Sequence, residues 1–113
     1  MSTRALEALD RLLNRGGDAD DVLRASVEVL VAEPGIVWAG IAFSEDGSLV
    51  VGPQAGTPDE AARMRVPIAF QGSHVGELWV DGDAERQFLE RVAVLVSEYV
   101  LIGWDTGGEP WEP

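Results

Sequence analysis

Four side chains suited to binding a small ligand fall on alternating positions of extended segments. The candidate ligand-binding residues are Trp38, Arg65, Glu77 and Trp79. If the apolar residues between them face the core, these four and Asp81 lie together on the opposite face of a sheet. Indole rings beside a guanidinium and a carboxylate could bind a small aromatic or anionic molecule. The alternative is an amphipathic outer face with a cross-strand pair of Arg65 and Glu77 and partly exposed rings.

Residues that usually carry acid–base or metal chemistry are not spaced for it. His74, the one histidine of the sequence, falls in a predicted turn without a second histidine nearby, so we interpret it as a turn residue. The carboxylate pairs Asp20-Asp21 and Asp59-Glu60 fall at predicted helix starts, where they offset the helix dipole. No nucleophile–base pair or phosphate-binding glycine loop can be assembled. The sequence therefore predicts no catalytic residues, no metal site, no cofactor and no enzymatic activity.

The composition excludes several classes of binding partner and indicates a cellular location. The 113 residues fit one domain. Eight basic residues, all arginine, against 20 acidic ones give a net charge of −12, which disfavours binding to nucleic acid and to anionic membranes. The sequence contains no cysteine, so disulfides, thiolate nucleophiles and zinc–thiolate sites are excluded. Without a signal-peptide pattern or a run of about 18 apolar residues, we expect a cytoplasmic location.

Periodicity predicts the elements that must position the candidate site. Asp18 is a plausible N-cap for the second helix, which Pro34-Gly35 closes, and Asp83 is one for the last helix. Pro53–Ala62 is predicted as a short connection between two hairpins. The predicted elements are helices over 5–13 and after 18, hairpin strands over 36–43 with 48–52 and over 63–70 with 75–81, and a helix from 83 to about 102.

The last predicted helix is apolar around most of its girth after Arg91. Its two adjoining stripes are Phe88, Val92, Leu95, Tyr99 and Ile102, and Leu89, Ala93, Val96 and Val100. Such a helix must be covered on more than one side, by the sheet and by something else, for which we expect a second subunit. The alternative is that its β-branched residues form a strand over part of this length.

The order of these elements and the amino-acid sequence of residues 65–81 resemble those of a GAF domain. An apolar strand with Val66-Pro67-Ile68 is followed by a glycine turn, a strand with Val75-Gly76 before Leu78, and a helix that starts with Phe88-Leu89. The resemblance covers nearly the whole chain. It implies an α/β fold with a twisted antiparallel sheet, N- and C-terminal helices packed together on one face, and a homodimer through those helices. It also implies one domain over 1–104 and a C-terminal tail over 105–113.

Departures from the GAF pattern bear on function. Relatives that reduce free methionine sulfoxide work through cysteines, bilin-binding relatives usually anchor the pigment through cysteine, and cyclic-nucleotide-binding relatives use an Asn-Lys-Phe-Asp-Glu signature, whereas this chain has neither cysteine nor lysine. The connection Pro53–Ala62 is also shorter than the segment that closes the family's ligand pocket. We therefore expect a non-catalytic sensory or regulatory module with at most a small or vestigial small-molecule pocket.

Two points stay open from the sequence. Pro34-Gly35-Ile36 before a strand and an Asp-Gly turn also resembles the start of a roadblock-type module, a dimeric scaffold that binds a protein partner such as a small GTPase. That family has a long helix between its hairpins, for which Thr57–Ala62 is too short. The tryptophan-containing segment 103–111 either folds back over apolar surface or serves as a docking peptide, and we favour the first because an exposed indole is costly.

Overall fold

The computed structural model describes residues 3–45 and 48–104, which form three helices, one turn of 3₁₀ helix and four strands. Their order is the predicted one. The Asp46-Gly47 turn and the predicted tail 105–113 lie outside the described residues. The elements are α1 (Thr3–Arg15), α2 (Ala19–Val31), β1 (Ile36–Glu45), β2 (Ser48–Gly56), the 3₁₀ turn (Glu60–Ala62), β3 (Arg63–Phe70), β4 (Ser73–Gly82) and α3 (Arg86–Trp104).

The N-cap residue predicted from the sequence is found at α2 but not at α3. Asp18 has the extended backbone of an N-cap and its carbonyl accepts the first helical hydrogen bond from Val22, although its side chain makes no capping bond. The prediction of Asp83 as the N-cap of α3 was wrong. Its N–H donates to the carbonyl of Gly35 at 2.9 Å, and the first helical bond runs from Leu89 to Glu85. Asp83 thus ties the end of β4 to the start of β1.

The four strands form one antiparallel sheet in the order β2-β1-β4-β3. β2 continues to Gly56 instead of ending at Gly52, because Gln54 to Gly56 pair with β1 beyond a bulge between Gly40 and Ala42. The connection to β3 is therefore even shorter than predicted.

The second hairpin has a tighter turn than predicted. His74 lies in β4 opposite Ala69 and is not a turn residue. The turn itself consists of Gln71 and Gly72, which both have positive φ angles, of 51° and 83°. A two-residue turn with left-handed backbone matches the twist of the strands that it joins, so pairing can start at once on both sides.

All three helices lie on one side of the sheet. α2 packs on β1 and β2, α3 packs on β3 and β4, and α1 lies mainly across α2 and α3. The strand residues predicted for the core, Val66, Ile68, Leu78 and Val80, are all buried. α3 is helical throughout, so the strand alternative was wrong.

Between Arg86 and Leu101, where the side chains of α3 are described, two large apolar side chains remain outside this packing. Val94 is 71% exposed and Leu101 is 40% exposed, whereas Val92, Val96 and Val100 are buried. The sheet and the other two helices therefore account for most of the apolar girth of α3, and a narrow apolar strip is left at the surface.

Candidate functional site

The outer face of the sheet, opposite the helices, carries the candidate residues. Pairing of β3 with β4 sets Arg63 opposite Asp81, Arg65 opposite Trp79, and Pro67 opposite Glu77. These residues alternate with the buried Val66, Leu78 and their neighbours, as a half-buried antiparallel sheet requires. Strand alternation thus predicted correctly which side chains share this face.

Trp38 reaches the same face from β1, but its ring is covered. A Cβ atom at Gly40 would lie only 2.6 Å from the Trp38 ring, so the indole folds back along its own strand over the glycine. The indole N–H donates to the side-chain carbonyl of Gln54 at 3.2 Å, and Trp38 is 3% exposed. This indole is therefore a supporting surface beneath the outer face and offers little area to a ligand.

Arg63 and Asp81 form an ion pair that the sequence interpretation missed. The guanidinium donates through Nε to Oδ1 at 2.8 Å and through Nη2 to Oδ2 at 2.9 Å. The backbone N–H of Asp59 donates to the same Oδ2 at 2.7 Å, so the carboxylate also holds the connection between β2 and β3. Alternation puts Arg63, Arg65 and Asp81 on one face, but it does not specify which arginine pairs with Asp81.

The pair shifts both pKa values. Burial by itself would raise the pKa of Asp81, but the hydrogen bond from Arg63, the N–H of Asp59 and the positive charge together outweigh it and lower that pKa. The hydrogen bond to Asp81 is the main cause that raises the pKa of Arg63. Both groups are therefore ionised at neutral pH, and Arg63 is not available to a ligand anion.

Two tryptophans and two arginines alternate in contact across the outer face, and we call these four side chains the Trp–Arg ladder. The Arg63 guanidinium carbon lies 4.6 Å from the centre of the Trp38 ring and 5.3 Å from that of Trp79. The Arg65 guanidinium carbon lies 4.3 Å from the centre of Trp79. Each such cation–π contact contributes about 0.5–1 kcal/mol near a surface. The ladder fixes the ring of Trp79 between the arginines of β3.

The accessible part of the outer face consists of Arg65 and Trp79 of the ladder together with Glu77. The indole N–H of Trp79 donates to Oε1 of Glu77 at 2.8 Å. Arg65 is exposed, and no carboxylate within the described part of the chain lies within ion-pair distance of its guanidinium. The predicted cross-strand pair of Arg65 with Glu77 is therefore not formed, and each of the two charged groups contacts the Trp79 indole instead.

Two open grooves lie elsewhere on the molecule. One of about 630 Å³ runs between α1 and α2, and one of about 530 Å³ lies along α3 near Val94. Among residues 3–45 and 48–104, no group of three histidine, aspartate or glutamate side chains is placed to hold a metal ion. No helix in these same ranges combines the length and the apolar character needed to cross a bilayer.

The element order, the single antiparallel sheet and the one-sided helical layer define a GAF-like fold. The GAF domain of an Acinetobacter phosphoenolpyruvate-protein phosphotransferase is similar to this chain, with a TM-score of 0.70 and 13% identity over 95% of this chain and 98% of that one. No family model and no curated protein matches the sequence. The likeness is therefore one of fold.

Two enzymes share the fold. The type II free methionine-R-sulfoxide reductase of Thermoplasma acidophilum is similar with a TM-score of 0.63 and 18% identity, over 73% of this chain and 91% of the reductase. The fRMsr of Staphylococcus aureus, solved in complex with substrate, is similar with a TM-score of 0.70 and 16% identity, over 87% of this chain and 94% of that one.

These neighbours correct the functional prediction from the sequence. The expectation that the chain is not an enzyme, and that it is a non-catalytic sensory or regulatory module or a roadblock-type scaffold, is contradicted, because the similar structures include two enzymes. Absence of familiar catalytic pairs in one sequence was too weak an observation to exclude catalysis, since chemistry depends on a site and not on the fold that carries it.

Proposed function

We propose that the outer face of the sheet binds a small zwitterionic molecule the size of a free amino acid. Arg65 would bind the carboxylate of the ligand, Glu77 its ammonium group, and Trp79 the apolar part between them. The observation that carries this proposal is the Arg65 guanidinium, held on the Trp79 ring with no carboxylate partner in the described ranges. A guanidinium is well suited to bind a planar carboxylate through two parallel hydrogen bonds.

The Trp–Arg ladder supports the proposal because it preorganises the binding groups. Arg65 rests on Trp79, Trp79 contacts Arg63, and Arg63 is fixed by Asp81. Side chains that are already ordered lose less conformational entropy when a ligand arrives, so more of the interaction energy appears as affinity. In this proposal Trp38 is the buried base of the site and touches Arg63 rather than the ligand.

The charge distribution favours a zwitterion over a simple anion. A net charge of −12 repels an anion at long range, whereas a molecule with one positive and one negative group is neutral overall. Two similar structures are named for enzymes of free methionine-R-sulfoxide, itself an amino acid, which supports a ligand of this class. Because the 113 residues contain no cysteine, a reaction through thiols of their own is excluded. Binding of the ligand and its chemical conversion are therefore tested separately.

The test is a titration of the isotope-labelled chain with free methionine and methionine sulfoxide, followed through the indole N–H signal of Trp79. We expect this signal to shift, because its acceptor Glu77 turns toward the ligand ammonium. Arg65→Gln should weaken binding about 10- to 100-fold, since a hydrogen bond to a charged group contributes about 1.5–3 kcal/mol. Arg91→Gln, which removes the same charge on α3, is the matched control and should bind as the unchanged chain does.

Three further observations complete the experiment. A carboxylic acid without the amino group should bind more weakly than the amino acid if Glu77 takes part. Equal affinity of the unchanged chain and Arg65→Gln would refute the proposed site. Chromatography of methionine sulfoxide incubated with the chain and a dithiol reductant shows whether a bound molecule is also converted.

We also propose that the chain forms a homodimer through its terminal helices. The support is the apolar strip of α3, in which Val94 and Leu101 are seven residues apart and therefore on one side of the helix. Arg91 and Glu98 are exposed on the same side of the helix, three residues before Val94 and Leu101 respectively.

A further inference from the structure

The groove between α1 and α2 has an apolar base and a basic rim. Leu12, Ala25 and Val29 are buried or half-buried along it, and Arg11 and Arg15 are exposed on its α1 side. Glu28 stands on the α2 side. The groove of about 630 Å³ is open to solvent, so a peptide segment could lie in it.

The rim is unusual for this chain because it carries net positive charge. The whole sequence has 8 arginines against 20 acidic residues, yet the groove has Arg11 and Arg15 against Glu28. An acidic segment with an apolar side chain would complement both the rim and the base. Residues 105–113, Asp-Thr-Gly-Gly-Glu-Pro-Trp-Glu-Pro, have this composition, with three acidic residues, one tryptophan and no basic residue.

This segment follows α3 at a place close to the groove. The hydroxyl of Tyr99 donates to the carbonyl of Leu13 at 3.4 Å, so the end of α3 lies beside the end of α1. Trp104 is five residues beyond Tyr99, about 7.5 Å of helix. From Asp105 to Trp111 an extended chain spans at most about 20 Å, enough to pass the end of α1 and reach the groove.

We propose that residues 105–113 dock in the groove of their own chain. Trp111 would lie on the apolar base formed by Leu12, Ala25 and Val29, and Glu109 and Glu112 would approach the arginine rim. Pro110 would restrict Glu109 to extended backbone, which would reduce the entropy lost on docking. The segment would cover part of the helical layer, leaving the strip of α3 and the outer face of the sheet free.

The absence of cysteine allows a direct test. A nitroxide label on the single cysteine of Pro113→Cys should broaden the backbone amide signals of Ala25, Val29 and Ala32 in the isotope-labelled chain. Arg15→Glu and Trp111→Ser should each abolish this broadening while the spectrum of the folded core persists. Arg86→Glu makes the same charge change at the start of α3, away from the groove, and should leave the broadening unchanged.

A mixed sample shows whether the docked segment comes from the same chain or from a second copy. In this sample one copy carries the nitroxide but no isotope label, and the other carries the isotope label but no nitroxide. We expect no broadening at the groove of the isotope-labelled copy. Broadening that appears only in the mixed sample would mean exchange between copies and would overturn the proposal. Broadening spread evenly over the surface, or confined to α3, would overturn it as well.

Discussion

Asp81 shows how much of the outer face depends on one buried side chain. It is fully buried, pairs with Arg63 through two hydrogen bonds, and accepts the N–H of Asp59. Arg63 in turn contacts both ladder tryptophans. Loss of this carboxylate would release the connection between β2 and β3 and leave a guanidinium without its partner between two indoles.

We therefore expect Asp81→Asn to lower the free energy of unfolding by about 3 kcal/mol, the lower end of the range for breaking a buried ion pair. The pKa of Asp81 is lowered in the folded chain, so its stabilisation is complete above the unfolded pKa of about 3.9 and is lost as pH falls through the folded pKa. Urea unfolding at several pH values should show the difference between the two chains shrinking below about pH 4.

The matched control is Asp83→Asn, two residues away and exposed, which should change stability by less than about 0.5 kcal/mol. A loss for Asp81→Asn that stayed constant down to strongly acidic pH would contradict an ionised carboxylate as the source of the effect.

The residue pairs of the outer face mark the limit of prediction from sequence. Alternation placed Arg65, Glu77, Trp79 and Asp81 on one face because the side-chain period of a strand is two. It could not specify which arginine meets which carboxylate, since that depends on the register between β3 and β4. The structure pairs Arg63 with Asp81 and leaves Glu77 to the Trp79 indole.

At the scale of elements, the presence of each helix and strand followed from periodicity, whereas several ends did not. β2 runs on to Gly56 because β1 offers it partners, and α3 starts late because the N–H of Asp83 is bonded to Gly35. Such ends depend on contacts with distant residues, which a local pattern does not contain.

At Gly76, β4 lies close to both β1 and α3. A Cβ atom there would lie 2.2 Å from the carbonyl oxygen of Ala42 and 3.2 Å from Cγ1 of Val100. The structure shows that the neighbouring strand is the tighter restriction.

We accordingly expect Gly76→Ala to lower the free energy of unfolding by about 3 kcal/mol, through displaced β1–β4 pairing. Adding Val100→Ala should not relieve the loss, because the nearer obstacle is a backbone carbonyl that no side-chain change can remove. In a double-mutant cycle measured by chemical denaturation, the coupling energy should stay below about 0.5 kcal/mol. A coupling of 1 kcal/mol or more would assign the conflict to α3 instead.

At the scale of the whole molecule, the sequence was sufficient to predict the fold, but it was not sufficient to exclude enzymatic activity. Element order and a glycine-turn hairpin sufficed for a GAF-like fold, since these features determine the core. The similar structures include two reductases and one GAF domain, so the fold leaves the chemistry open. The Arg65 guanidinium, which has no carboxylate partner among residues 3–45 and 48–104, carries the functional proposal because this observation concerns the site itself.

The surface of α3 makes the assembly of the whole molecule testable. A two-fold axis between Val94 and Leu95 would pack two antiparallel α3 helices together and bring Arg91 of one copy toward Glu98 of the other, a self-complementary arrangement. We expect light scattering coupled to chromatography to give twice the chain mass of 12.1 kDa. Val94→Glu should raise the dimer dissociation constant at least about 30-fold, because a charge buried without a partner costs 2 kcal/mol or more. Val50→Glu makes the same change at an exposed valine of β2, away from α3, and should leave the dimer intact. A monomeric mass for the chain without substitutions would refute the proposed dimer.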